Sequence, residues 1–383
     1  MKTPAKPVRP SPSASSKVRP VTARGQRVAA AARAPLPVDL ALQGGGSHGA
    51  FTWGVLDRWL QEPGLAVAGL SGTSAGALNA AVLATGWARA GADGARQALR
   101  DFWLDVSSQG ACFGHWPGQG IAEFNLDLNP FYAWSQLFLR SFSPYQFNPT
   151  GTNALREVLQ RHVQPQALRS GPIDLFITAT AVRSGQPRVF DRRDLGIDAL
   201  LASACLPQLF RAVEIDGQPY WDGGYSGNPA LWPLIYNTAA LDVVLVKINP
   251  LERPDTPNTP QEIADRVNEI TFNAGLVSEM RAIAFVQRLL AKGLVDAGDY
   301  KNLRLHMVSD EEGLAPLNAS SKLNTERAFL LSLHALGVAA AERWLLQHRA
   351  DLGRRSTLDL RTTFLMPRGP GVMEPPPVRG RGG

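Results

Sequence analysis

Two glycine-flanked turns near the start of the chain constrain its fold more than any other feature. Gly44-Gly45-Gly46 follows the apolar run 37–43 and precedes a segment with Phe51, Val55, Leu56, Trp59 and Leu60 at helical spacing. Gly72-Thr73-Ser74-Ala75-Gly76 follows the short apolar run 67–70 and precedes the Ala/Leu-rich stretch 75–84. Each reads as a buried strand that enters a helix through a loop with little side-chain cover. Further apolar strand patterns at 173–181, 241–248 and 303–308 alternate with helical ones. The pattern predicts an α/β protein, with strands and helices in layers.

The turns also carry chemistry. Ser74 stands at the centre of a G-x-S-x-G sequence, where Gly72 and Gly76 make room for a sharp strand-to-helix turn. The helix that starts there aims its N-terminal N–H groups and dipole at the serine. The Gly44–Gly46 loop exposes backbone N–H groups suited to an oxyanion, and one such donor is worth ~3 kcal/mol to a transition state. A third element lies downstream. Asp216-Gly217 between two alternating runs marks a two-residue hairpin, and Asp222 ends its second strand ahead of Gly223-Gly224. Taken singly, Ser74 also reads as a helix N-cap and Asp222 as a turn aspartate.

A nucleotide site fits less well. Gly44, Gly46 and Gly49 match G-x-G-x-x-G, but the next strand runs into residues 71–76 without an acid to hold a ribose. Ala50 and Phe51 stand where a phosphate loop needs Lys and Ser/Thr.

The ordered set G-G-G-x-x-G, G-T-S-A-G and D-G-G resembles the patatin-like phospholipases, and the small-residue stretch 202–207 before the hairpin supports this. The resemblance spans about residues 38–365. It implies a three-layer α/β fold, a mostly parallel central sheet sandwiched by helices. It further implies a lipid acyl hydrolase of phospholipase A, lysophospholipase or esterase type, working through a Ser–Asp dyad without cofactor or metal. On that resemblance Ser74 is the nucleophile and Asp222 the base, and Gly44, Gly45, Gly46 and Ala75 form the oxyanion hole. The implied partner is a lipid ester, with peripheral contact at a membrane, lipid-droplet or granule surface and no nucleic acid. One position departs from the family pattern. His48 stands where Arg or Lys is usual, which replaces a permanent charge by a group that titrates near neutrality. Two alternatives stay open: a lipid-binding member of the fold without turnover, and a Ser–His–Asp hydrolase using His306, His334 or His348.

Composition sets the domain plan. Residues 1–38 hold eight Lys/Arg and no acid, against a net charge of +6, so the remainder carries −2. A basic Pro/Ser/Ala-rich tail is expected over 1–36, a catalytic domain over 37–366 and a second tail over 367–383. Twelve of the thirty aromatics fall within 102–147, which marks an aromatic cap segment over about 102–150. An amphipathic helix over 262–290 is expected to pack on the sheet through Ile263, Val267, Ile270, Leu276, Met280, Ile283, Phe285 and Leu289. Two cysteines provide no disulfide framework and point to a cytoplasmic setting, and no apolar run is read as long enough to span a membrane.

Overall fold

The computed structural model describes Met1 and residues 34–109, 120–127, 129–296 and 298–366. Most of the basic tail, the C-terminal tail, and Phe113, His115 and Trp116 of the aromatic segment lie outside the described residues. The element order is β1 (Leu36–Leu42), α1 (Gly49–Trp59), β2 (Leu65–Thr73), α2 (Ala75–Gln109), α3 (Pro130–Ser141), α4 (Pro144–Phe147), α5 (Ala154–His162), α6 (Pro165–Ser170), β3 (Asp174–Ala181) and β4 (Pro187–Phe190). It continues with α7 (Ile197–Ser203), β5 (Val213–Ile215), β6 (Gln218–Asp222), α8 (Trp232–Asn237), β7 (Asp242–Val246), α9 (Pro260–Ala291), β8 (Arg304–Val308), α10 (Glu311–Leu314) and α11 (Arg327–His348).

The strands form one mixed sheet in the order β5-β6-β3-β2-β1-β7-β8, with β4 also paired to β3. The run from β3 to β8 is parallel, and the hairpin β5–β6 and strand β4 are antiparallel additions. The expected layering is therefore present. β1, β2 and β7 are buried over most of their length and read as continuous apolar runs, as strands covered on both faces must. One apolar cluster gathers α1, α2, α7 and α11 on the sheet, and a second gathers α8 and α9.

Two details of strand register place the motifs. Leu42 of β1 pairs with Gly72 of β2 and with Val246 of β7, so the loops after all three strands leave at the same end of the sheet. Thr178 of β3 pairs with Thr73 on one side and Val189 on the other. Ala179, one residue on, pairs with Asp222 and with Arg188. β4 holds one edge of β3, so β6 takes up the other edge where β2 ends. Asp222, at the end of one strand, is thereby brought beside Ser74, just past the end of the other.

Three expectations need correction. Arg327–His348 is a helix of 22 residues, long and apolar enough by length and composition to cross a membrane. It is a core helix: Phe329, Leu330, Leu333, Ala341 and Trp344 are buried in the cluster with α1. The helices cross closely, since a Cβ on Gly337 would stand 2.0 Å from the Phe51 carbonyl oxygen. The second correction concerns α9. It buries Leu276, Met280 and Ile283 as expected, but Ile263, Val267, Ile270 and Phe285 are exposed. Both faces of this helix carry apolar residues, so spacing alone did not identify the packed one. The third concerns the aromatic segment: Phe102 and Trp103 belong to α2 and are buried in the main core, as is Phe124.

Candidate active site

Ser74 is 8% exposed and has φ of +52°, one of two non-glycine residues among those described with positive φ. Neighbours hold this turn. The Ser74 N–H donates to Ser203 Oγ at 2.9 Å, and Ser203 Oγ donates to the Thr178 carbonyl at 2.6 Å. The Ser74 carbonyl accepts from the Leu78 N–H at 3.1 Å, which seats the serine on the first turn of α2. The other positive-φ residue, Asp216, forms with Gly217 the two-residue turn of the expected hairpin.

Asp222 is fully buried. Its backbone N–H donates to the Cys205 carbonyl at 2.7 Å, and Oδ1 accepts the Gly224 N–H at 2.7 Å. Oδ2 is buried without a hydrogen bond of ordinary geometry, yet the Ser74 hydroxyl is close enough to favour the charged carboxylate. Burial outweighs these contacts and pushes the Asp222 pKa up to about 7, while the Gly224 N–H, the Ser74 hydroxyl and the Lys322 charge pull it down.

The glycine loop faces this pair and is held by side chains from distant elements. The Gly44 N–H donates to Asn228 Oδ1 at 2.6 Å, and the Gly44 carbonyl accepts Asn249 Nδ2 at 2.7 Å. Gln43 Oε1 accepts the backbone N–H groups of Ile248 and Asn249, each at 3.0 Å, and its Nε2 donates to Asn273 Oδ1 at 3.2 Å. The Gly44 N–H is thus occupied. The N–H groups of Gly45, Gly46 and Ala75 have no acceptor among the described residues.

His48 is buried, and its Nε2 lies 2.8 Å from Ser321 Oγ. Burial, with the nearby charges of Lys322 and Arg253, holds its pKa well below the usual histidine value, so the ring is neutral at pH 7. The other described histidines pair elsewhere. His306 lies between Asp242 and Thr357, His334 on Asp57, His348 on Asp351 and His162 on Asp105. Among the described residues none contacts Ser74 or Asp222. Asp242 lies at the start of β7, the opposite end of the sheet from Ser74.

A cavity of about 1100 Å³ opens beside the loop after β7, at the Ser74 end of the sheet. Asp265, Glu269, Arg253 and Asn318 line it, and Ser74 and Asp222 do not. No cluster of potential metal ligands occurs among the described residues.

Sequence reasoning named Ser74, Asp222 and the glycine loop, and the structure gathers them. It missed Ser203, Asn228, Asn249 and Lys322. Asn228 and Ser203 lay within stretches already notable, one just beyond Asp222-Gly223-Gly224 and one in the small-residue run before the hairpin. Asn249 and Lys322 carry no local signal.

The fold and this arrangement define an α/β protein with a serine on a strand-to-helix elbow and a buried carboxylate beside it. The model of the patatin-like phospholipases matches residues 40–235, and the chain belongs to that family. The family supports a lipid hydrolase. No curated protein matches the chain. Among solved structures, VipD from Legionella pneumophila is similar at 14% identity and TM-score 0.40, over 82% of this chain and 67% of that one. ExoU, described as a type III effector, is similar at 19% identity and TM-score 0.28, over 81% and 54%. ExoU in its complex with SpcU, from the type III secretion system of Pseudomonas aeruginosa, gives 20% identity and TM-score 0.27 over 65% and 52%. This chain spans about half the length of those ExoU chains.

Proposed function

We propose that the protein hydrolyses carboxylic esters of lipids through a Ser74–Asp222 dyad. Asp222 Oδ2 accepts the proton of Ser74 Oγ as that oxygen attacks the ester carbonyl. The N–H groups of Gly45, Gly46 and Ala75 hold the developing oxyanion, while Gly44, tied to Asn228, anchors their loop. The alcohol leaves with the proton returned by Asp222. Water that gives its proton to the freed carboxylate then releases the fatty acid from the acyl-serine, Asp222 returning that proton to Ser74 Oγ. The observation that carries the reading is the buried Asp222 oxygen left without an ordinary partner beside a serine in a left-handed backbone conformation. A carboxylate is a weak base in water, and burial that raises its pKa to about 7 suits it to accept a proton near neutrality.

The lipid reaches the site from a surface, in this reading through α3. Phe131, Trp134 and Leu137 are each more than half exposed there, and Trp134 stacks on Phe138.

Fluorophosphonate labelling with peptide mapping tests the dyad. Ser74 is expected to be modified, and Ser74→Ala and Asp222→Asn are each expected to lose more than about 10³-fold in ester hydrolysis. Folded protein that resists labelling with and without lipid vesicles would overturn the dyad and shift the reading to a lipid-binding member of the fold without turnover.

A further inference from the structure

Lys322 belongs to no motif, yet it touches the candidate site from two directions. It lies in the short 3-10 turn Ser320–Leu323, which packs on the turn Gly46–His48. Its backbone closes on the glycine loop: a Cβ on Gly46 would stand 2.3 Å from the Lys322 carbonyl oxygen, and Gly46 itself has φ of +58°. Its side chain turns inward. Nζ donates to Asn249 Oδ1 at 2.9 Å and lies 5.8 Å from the centre of the Phe272 ring. Asn249 in turn donates to the Gly44 carbonyl at 2.7 Å and to Gln43 Oε1 at 3.3 Å. The chain of contacts from Nζ to the oxyanion loop is therefore unbroken.

We infer that Lys322 is a positioning residue of this site: its ammonium locks Asn249 against the glycine loop and supplies a positive charge beside Asp222. The inference rests on the proposed hydrolase reading.

The groups facing Lys322 come from several elements. Burial lowers the pKa of Lys322 and Arg253 adds to this, while Glu269 and Asp265 of α9 and Asp222 at the end of β6 act against the lowering. Asp265 and Asp222 support the ammonium only where they are themselves ionised, above about pH 6 and 7. His48, in the turn beneath, is kept neutral in part by the same ammonium. Asp222 is faced by Lys322, Ser74 and the Gly224 N–H. Buried Cys205 and Tyr225, which also stand close to Asp222, have their pKa values raised, so neither brings a negative charge near pH 7. Among the described residues, Lys322 is thus the cation that acts on Asp222. Without it the carboxyl group binds its proton more tightly, and the base becomes available at higher pH.

The test compares Lys322→Arg, Lys322→Gln and Lys322→Met in the full chain, using a soluble short-chain p-nitrophenyl ester across pH 5–9. Lys322→Met removes both the charge and the donor to Asn249. It is expected to lower kcat by about 10- to 100-fold with little change in KM, and to move the acidic limb of kcat/KM to higher pH. Lys322→Gln keeps a donor, so kcat at high pH should recover while the limb stays shifted. Lys322→Arg should restore the limb. If Lys322→Met does not fold, the glutamine and arginine variants decide the question alone. A folded, neutral variant with the wild-type kcat and an unmoved acidic limb would overturn the role of Lys322. Wild-type protein that neither hydrolyses the ester nor labels at Ser74 would overturn the hydrolase reading, and this inference with it.

Discussion

Ser74 holds a backbone conformation that costs a residue with a Cβ about 1–3 kcal/mol and persists only where surroundings enforce it. Ser203 and the first turn of α2 do so here. The glycine loop is enforced in a comparable way from the far side of the chain, because Asn228 takes the Gly44 N–H. Asn228→Ala would leave that buried N–H without an acceptor, at a cost of about 1–3 kcal/mol. The expected result is a lower melting temperature together with a fall in kcat larger than any change in KM, since the loop's free N–H groups would lose their aim. Equal kcat in the folded variant would show that the loop needs no such anchor. The motifs made Ser74, Asp222 and Gly44–Gly46 legible in the sequence because backbone strain and close approach demand particular residue types. Asn249 and Lys322 were illegible because a hydrogen-bonding side chain can be supplied by any element that reaches the spot. Here they come from positions 205 and 278 residues after Gly44.

The strands and the hairpin were readable as elements, down to the Asp216-Gly217 turn, because period and turn chemistry are local properties. Which face of a helix is buried was less readable. On α9 both faces are apolar, and only the fold decides that Leu276, Met280 and Ile283 point inward. On α3 the question has a functional side. Asn129 caps this helix by accepting from the N–H groups of Phe131 and Tyr132, so it is well formed despite its exposed apolar face. Phe131, Trp134 and Leu137 recur every three residues along it. Burying one such side chain in lipid is worth about 1.5–3 kcal/mol. The triple variant Phe131→Ser, Trp134→Ser, Leu137→Ser should therefore bind phosphatidylcholine vesicles at least about tenfold more weakly in a flotation assay. Its melting temperature should not fall, since these side chains contribute little to the core. Unchanged flotation would remove α3 as the lipid-facing element.

At the scale of the whole molecule, the site imposes a stability that depends on pH. Burial raises four carboxyl groups: Asp39 and Asp265 to about 6, Asp222 and Glu279 to about 7. Each binds its proton more tightly in the folded than in the unfolded chain. Its contribution is therefore fully present below the ordinary carboxylate range and is lost as pH rises through its folded value. Other groups act oppositely. Asp242, held at about 2 against burial by His306, Arg304 and the Gly353 N–H, contributes above the ordinary range and fails in acid. His48, with its lowered pKa, costs stability as pH falls below the usual histidine value. The total curve sums these terms, so it does not isolate the site. A difference between two proteins does. Asp222→Asn cannot ionise, and its side-chain oxygen can still accept the Gly224 N–H. It should match wild type only below the ordinary carboxylate range, where the carboxyl is protonated in both the folded and the unfolded chain. It should already lead modestly at pH 5, where the unfolded carboxyl has ionised, and exceed wild type by several degrees in melting temperature at pH 8. A shift of one pKa unit corresponds to about 1.4 kcal/mol, so an Asp raised to about 7 makes a difference of a few kcal/mol reasonable. The coupling to Lys322 is already contained in this difference, because the ammonium is one of the groups that pull the Asp222 value down against burial. Melting curves of the two proteins at pH 5, 6.5 and 8 decide the matter. A gap that widens with pH establishes a buried carboxyl held protonated by the fold at low pH and forced to ionise near neutrality. A gap that stays constant would mean that Asp222 is already charged in the folded state at pH 5, and the acidic limb expected for the dyad would have to come from another group.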